Sequence, residues 1–154
     1  MRSFNPALAF VLITCIGLLL QAQEKTIQRS DLPAAVEKTV AQQSKGATIK
    51  GFATEVEDGK TLYEVEMTVN GHGKDISMDE KGNILEVEEE VNMASLPPAV
   101  KEGLTKTAGK GTITKVETLT KNGKLVAYEA AVKTGTKTSE IQVGPDGKKL
   151  AHSE

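Results

Sequence analysis

The stretch VNGHGKD, residues 69–75, holds the one sequence that suggests nucleotide chemistry, because a Gly-Lys pair can belong to a phosphate-binding loop. Such a loop needs Ser or Thr after the lysine, and then a helix whose N-terminus faces the phosphate. Here Asp75 follows the lysine and would repel a phosphate. Ile76 and Met78 then alternate with polar residues, as in a strand. We therefore predict a tight hairpin turn at the Asn-Gly pair of this stretch.

The other residue types that support catalysis or metal binding occur without the spacing these sites need. His72 and His152 are far apart in sequence, and no His-x-x-x-His pair is present. The acidic turn over residues 79–83 is too short for a calcium loop and lacks its distal glutamate. No Gly-x-Ser-x-Gly sequence marks a nucleophile. The sequence thus predicts no catalytic residue, no metal site and no cofactor, and the protein is not expected to be an enzyme.

Residues 1–22 have the pattern of a secretory signal peptide. Arg2 precedes an apolar run of 14 residues from Ala7 to Leu20, and small residues follow near Ala22. A helix needs about 20 apolar residues to span a bilayer, so this run is too short for a permanent anchor. We predict cleavage close to Ala22, export to the periplasm or the extracellular medium, and no stable membrane anchor afterwards.

Cys15 is the only cysteine, and it lies inside this apolar run. One alternative is a lipoprotein in which Cys15 is acylated, although Thr14 fits poorly before a lipidated cysteine. If the signal peptide is removed beyond Cys15, the mature chain has no disulfide and no thiol chemistry. Its core must then be held together by packing, and mainly by aliphatic side chains.

The chain repeats itself at an offset of 64 to 65 residues. The first copy opens with DLPAAVEKTV and the second with SLPPAVKEGL. Later, EDGKTLYEVEM matches KNGKLVAYEAAV, and KDISMDEKGNIL matches SEIQVGPDGKKL. Because these segments match in the same order, they indicate a duplication. We predict a short N-terminal segment over residues 23–30 and two tandem repeats, residues 31–92 and 93–154.

Each repeat is predicted to contain one helix followed by antiparallel strands. Apolar residues four apart mark the helices, with Asp31 and Ser95 as expected N-caps. The strands alternate with period two, and Asn-Gly or Asp-Gly pairs separate them. Apolar residues three apart in the first strand of each repeat predict β-bulges near Gly51 and Lys115.

The two repeats differ sharply in charge. Residues 31–90 contain 6 lysines against 14 acidic residues, a net charge of −8, whereas residues 95–154 contain 10 lysines against 6 acidic residues, a net charge of +4. Five carboxylates of the first repeat fall on the strand face away from the apolar residues, and we predict this face as a candidate partner surface: Glu64, Glu66, Asp75, Glu86 and Glu88. The alternative is a solvated face that keeps the protein soluble and discourages edge pairing.

The repeated motifs resemble those of the PepSY-like, β-lactamase-inhibitor-like domains of exported bacterial proteins. The motifs are Leu-Pro-x-x-Val on a helix, Tyr-Glu-Val on a strand, and an Asp-x-x-Gly-x-Ile-Leu hairpin. The resemblance implies an α+β fold of two tandem repeats, each a helix plus a four-stranded antiparallel meander, with the helices packed on one face of the sheet. Whether the two repeats share one continuous sheet stays open. The resemblance implies no catalytic residues.

The sequence therefore favours an exported, non-enzymatic binding or inhibitory module that acts on an extracytoplasmic protein such as a peptidase, and not on nucleic acid. Tight inhibitors usually anchor themselves through aromatic and arginine side chains. After the predicted signal peptide only three aromatic residues and Arg29 remain, which argues against β-lactamase as the target. The alternative is weak cation or small-ligand binding on the acidic face of the first repeat, where alternate carboxylates are about 7 Å apart.

The charge asymmetry leads to a prediction about self-association. Pairing of an acidic repeat with a basic one would rest on exposed ion pairs, each worth roughly 0 to 1 kcal/mol and screened beyond about 8 Å at physiological salt. We expect a monomer at physiological ionic strength, with association only at low salt and high concentration. Sedimentation velocity at low and high salt measures this. A dimer that persists in about 0.5 M salt would contradict the expectation, because exposed charges are strongly screened there.

Overall fold

A computed structural model describes residues 24–57 and 59–154. The predicted signal peptide, Cys15 and the first residue of the predicted turn at 58–59 lie outside the described residues. Within the described residues, no helix has both the length and the apolar character needed to cross a membrane.

The structure is an antiparallel sheet of eight strands in which every strand pairs with its neighbours in sequence. The strands are β1 Lys25–Ile27, β2 Ala47–Glu57, β3 Lys60–Val69, β4 His72–Met78, β5 Ile84–Glu90, β6 Thr112–Lys121, β7 Lys124–Thr134 and β8 Lys137–Val143. Two helices interrupt the order, α1 Ala34–Gln43 before β2 and α2 Pro98–Ala108 before β6. The sheet order is therefore the chain order.

The expected fold class, an α+β fold of two helix-plus-four-strand repeats, is wrong. Over residues 24–57 and 59–154 the structure is mostly β, with one continuous eight-stranded sheet and only two short α-helices. β5 pairs with β6, residues 86–90 against residues 117–121, so the two repeats do not form separate sheets. The strands are also divided unequally, because β1 adds a strand before the first repeat and the second repeat contributes only three.

The missing fourth strand of the second repeat has a cause in the sequence. After the turn of the first repeat, ILEVEEE continues the alternation of apolar and polar residues and forms β5. The matching segment of the second repeat reads KLAHSE and lacks this alternation, since only Ala151 is apolar after Leu150. With no regular apolar face to bury, it makes only an isolated bridge, from Lys149 to Val143 of β8.

Both helices pack on the same face of the sheet, each over its own repeat. α1 and the first repeat form one buried cluster of Val36, Val40, Val65, Met67, Ile76 and Met78. α2 and the second repeat form another, of Leu96, Val100, Leu104, Val116, Tyr128, Ala130 and Val143. The opposite face of the sheet has no helix over it among the described residues, and it carries the candidate functional site.

The helices begin later than predicted. Pro33 and Pro97 occupy the N-cap positions and make no side-chain cap, whereas Asp31 and Ser95 lie in short 3₁₀ turns just before them. Each proline limits the preceding residue to extended backbone, so the α-helix cannot start earlier.

The hairpin prediction for residues 69–75 is confirmed. Asn70 and Gly71 have φ angles of 52° and 87°, and they connect β3 to β4. Consecutive positive φ angles are those of a two-residue hairpin turn. The lysine of the Gly-Lys pair, Lys74, lies in β4 and forms an ion pair with Glu89 of β5. The stretch is therefore part of the sheet rather than a phosphate loop.

The two predicted bulges are present at equivalent points of the repeats. The register shifts between Ile49 and Gly51 in β2, and between Ile113 and Lys115 in β6. A bulge moves the following residues to the opposite faces of the strand. In β6 it returns Val116 to the helix side and places Lys115 on the helix-free side of the sheet.

The two tyrosines occupy equivalent positions in the two repeats. Tyr63 pairs with Met78, and Tyr128 pairs with Val143 at the matching position. Tyr128 is buried in the cluster of the second repeat, and Tyr63 packs against that of the first.

The turn after β8 makes a close contact with α2 that yields a stability prediction. Gly147 has a φ of 79°, and a Cβ there would collide with the carbonyl oxygen of Ala99. Gly123 has a similar φ of 76° but open space around it. Both Gly→Ala substitutions strain the backbone, but we expect Gly147→Ala to lower the free energy of unfolding by about 1 to 3 kcal/mol more, because of overpacking. Urea unfolding measures both, and equal losses would show that the turn moves away freely.

Candidate functional site: the acidic face of the sheet

The helix-free side of the sheet, called the acidic face below, carries all five predicted carboxylates. Glu64 and Glu66 lie on β3, Asp75 on β4, and Glu86 and Glu88 on β5. Asp75 has Glu66 and Glu88 as its directly opposite neighbours on the adjacent strands. The structure therefore brings these residues together across three strands, and each is partly buried.

Carboxylates of the second repeat extend the acidic face, and these were not predicted as site residues. Glu117 of β6 and Glu129 of β7 lie opposite each other and are 6% and 7% exposed. A count of charges by repeat concealed them, because the second repeat is basic in total. The alignment of the repeats could have indicated Glu129, because it matches Glu64 of the first repeat. Only the β5–β6 pairing, however, places both residues on one surface.

Three carboxylates converge at the centre of the acidic face. One oxygen from each of Asp75, Glu88 and Glu117 lies within 4.8 Å of the other two, and we call these residues the carboxylate cluster. Lys115 is the cation beside them, with its Nζ 2.6 Å from Oε1 of Glu117. Asp75 Oδ1 is buried and accepts no hydrogen bond from any described residue. The cluster therefore has more negative charge than one ammonium group can balance.

Around the cluster, other groups satisfy some of the remaining carboxylates. Gln142 donates to Glu129 Oε2 at 2.7 Å. Lys121 forms an ion pair with Glu86 at 3.3 Å. The backbone N–H of Gly73 donates to Glu90 at 2.9 Å. These contacts lie at the margins of the acidic face and leave Asp75 without a donor.

Burial and mutual repulsion raise the pKa values of Glu88 and Asp75. The pKa of Glu88 rises to about 9, first because burial disfavours its charge and then because Glu129 and Glu117 are near. The pKa of Asp75 rises to about 7 by burial and carboxylate repulsion, although Lys115 opposes the shift. Near neutral pH the cluster therefore holds protons that ordinary surface carboxylates would have lost.

Burial also raises the pKa values of carboxylates at the flanks of the acidic face. Burial raises the pKa of Glu64 to about 7, with further repulsion from Asp75. Burial also raises the pKa of Glu129 to about 7, although the hydrogen bond from Gln142 works in the other direction. For Lys115, burial works against the charge, but Glu117 and then Asp75 outweigh it and raise the pKa of the ammonium group. The whole surface is thus electrostatically suited to a cation.

The remaining candidate residues lie elsewhere. His72 is exposed at the start of β4, and His152 is exposed near the end of the chain. Asp79 lies in the turn after β4, where its carboxylate accepts bonds from the backbone of Lys81 and from Asn83. The structure does not bring any of these residues to the acidic face.

The structure is thus an antiparallel sheet with two helices on one side and a continuous, partly buried charged surface on the other. The sequence profile of the family described as "Putative beta-lactamase-inhibitor-like, PepSY-like" matches the chain twice, over residues 18–86 and 62–148. The chain belongs to this family. A search of curated proteins gives no match.

Solved structures show the same fold. A BLIP-like protein from Bacteroides fragilis is 22% identical, with a TM-score of 0.56, 77% of this chain covered and 83% of that one. A DUF2874 family protein from Bacteroides ovatus is 18% identical, with a TM-score of 0.60 and coverage of 77% and 84%. A protein described as "putative periplasmic" from Bacteroides eggerthii is 15% identical, with a TM-score of 0.62 and coverage of 77% and 86%.

The raised pKa values predict that stability falls as pH rises. Between the ordinary carboxyl pKa and the raised values, the folded protein holds more protons than the unfolded chain. The free energy of unfolding should therefore decrease from about pH 5 to about pH 9. Glu88→Gln keeps a neutral group of the same shape and should flatten this decrease, whereas Glu80→Gln in an exposed turn should not. Urea unfolding across this range measures both, and a stability that rises with pH would contradict the assignment.

Proposed function

We propose that this protein is an exported, non-enzymatic binding or inhibitory module, and that its acidic face docks a basic region of an extracytoplasmic protein such as a peptidase. The observation that carries the proposal is the convergence of partly buried carboxylates from β3, β4, β5, β6 and β7 on one helix-free surface.

The crowding of carboxylates on the acidic face is electrostatically unfavourable, and this supports a binding role over a role in solubility alone. Carboxylates that only keep a protein soluble can stay apart and hydrated, as surface charges usually do. On the acidic face they are crowded and partly dehydrated, so that Glu88 and Asp75 hold protons near neutral pH. A basic partner would relieve this repulsion on binding. Sites that are electrostatically unfavourable in the free protein are common where a ligand binds.

The comparisons support the class and the compartment. The family description is inhibitor-like rather than enzymatic, and the B. fragilis protein is called BLIP-like. The B. eggerthii protein is described as periplasmic, which agrees with the signal peptide predicted at residues 1–22. The acidic face repels nucleic acid, so a protein is the expected partner.

Cation binding is a second candidate, because the carboxylate cluster presents three oxygens within 4.8 Å of one another. Lys115 occupies the same place and would have to leave or tolerate a metal ion nearby. Calcium also prefers six to eight oxygen ligands. We therefore expect at most weak, nonselective cation association. A stoichiometric, micromolar calcium site in a calorimetric titration would promote this candidate above the protein-binding one.

Pull-down of envelope proteins by the immobilised mature protein tests the main proposal at pH 8 and low salt. One variant neutralises the acidic face with Glu64→Gln, Glu66→Gln, Asp75→Asn and Glu88→Gln. The control variant replaces the same number of carboxylates on exposed residues elsewhere: Glu80→Gln, Glu89→Gln, Glu102→Gln and Glu154→Gln.

The wild type and the control variant should retain the same partner, and the acidic-face variant should lose it. Retention should weaken as salt is raised, because opposite charges attract across the interface. A partner retained equally by all three proteins would place the binding surface elsewhere. Repeated recovery of no partner at low salt would count against a protein-binding function.

A further inference from the structure

Lys115 lies on the acidic face only because of a β-bulge. In a regular strand, Lys115 would be on the same face as Ile113, which packs in the helix-side core. The register shift between Ile113 and Lys115 moves the lysine to the other side. The equivalent residue of the first repeat, at the matching bulge, is Gly51, which has no side chain to offer. The cation is therefore a feature of the second repeat alone, positioned by its backbone.

The surroundings of Lys115 are those of a binding site for one cationic side chain. Its Nζ contacts Glu117 Oε1 at 2.6 Å, and the Glu117 side chain is only 8% exposed. Asp75 and Glu88 lie close enough to raise the pKa of Lys115 further. Asp75 Oδ1 is nevertheless buried and accepts no hydrogen bond from the described residues. The single ammonium group of Lys115 thus pairs with Glu117, and Asp75 Oδ1 can still accept a hydrogen bond.

Lys115 is also free to leave. Its side chain is 32% exposed, so it is not enclosed by the rest of the protein. Long lysine side chains exchange between such positions at low cost. A guanidinium group, with five donors in a planar fork, would satisfy several carboxylates at once where a single ammonium does not.

We infer that the carboxylate cluster is the subsite that receives an arginine or lysine side chain of the basic partner, and that Lys115 occupies this subsite in the free protein as an internal competitor. The inference rests on the proposed function, since it names the central contact of the acidic face. It gives Lys115 a regulatory role: the lysine lowers the repulsion in the free protein, and it weakens binding until a better donor displaces it.

Lys121 provides a matched control. It lies on the same face and on the same strand, its side chain is 34% exposed, and it forms an ion pair with Glu86 at 3.3 Å. Lys115→Met and Lys121→Met therefore make the same change in the charge of the acidic face. Only the first removes a competitor from the carboxylate cluster.

The experiment is calorimetric titration of the mature protein with a hexaarginine peptide at pH 8 and low salt. We expect Lys115→Met to bind the peptide about tenfold more tightly than Lys121→Met does, a difference of about 1.4 kcal/mol. Asp75→Asn should remove most of this gain in the Lys115→Met background. Equal affinities of the two lysine variants would overturn the subsite while leaving the acidic face as a docking surface. No binding to the wild type or to any variant would overturn both.

Two further measurements complete the test, and the first keeps it decisive if Lys115→Met unfolds. In the folded wild type, hexaarginine should shift the NMR signals of the Lys115 ammonium group more than those of Lys121, because Lys115 is displaced. Equal shifts of the two lysines would contradict displacement. In any folded Lys115→Met sample, calcium chloride is titrated as well, and a stoichiometric calcium site without hexaarginine binding would assign the cluster to a metal ion instead.

Discussion

The pairing of β5 with β6 is the interaction on which the rest of the structure depends. It joins the last strand of the acidic repeat to the first strand of the basic one, with residues 86–90 opposite residues 117–121. Without it each repeat would have its own small sheet with one helix. With it, the helix-side clusters form a row along one face, and carboxylates from both repeats meet on the other. The crowding at the carboxylate cluster is a direct result, because Asp75 and Glu88 come from one repeat and Glu117 from the other.

Much of the local structure was predictable because it is encoded by short patterns. Asn70-Gly71 specified a hairpin, and the spacing of Ile113 and Val116 specified a bulge. The five predicted carboxylates were placed correctly on the helix-free side, because alternation fixes the face of each strand residue. The division into two helix-plus-four-strand repeats was wrong. Whether the repeats share one sheet could not be predicted, since pairing between strands that are separated by a helix leaves no local signature. Glu117 and Glu129 were missed for the same reason.

The acidic face illustrates how stability and binding compete. A surface that repels itself destabilises the folded protein as the carboxylates lose protons, and the burial of Glu88 makes this cost larger. The two helix-side clusters are apolar and well buried, so the stabilising part of the fold is kept on the opposite side of the sheet. This separation allows the charged face to vary without disturbing the core, and the repeats show such variation at Gly51 and Lys115.

The meander order of the sheet also bears on how the chain folds. Every strand pairs with the strand that precedes it and the one that follows it, and no strand is inserted between two earlier ones. Apart from the β1–β2 and β5–β6 pairs, which have a helix between them, neighbouring strands are joined by short turns, so each of these pairings closes only a short loop. A chain that is synthesised N-terminus first can add its strands in order of arrival. At β2 and at β6 the pairing must wait until a helix, α1 or α2, has passed and the strand can return to the edge left by β1 or β5.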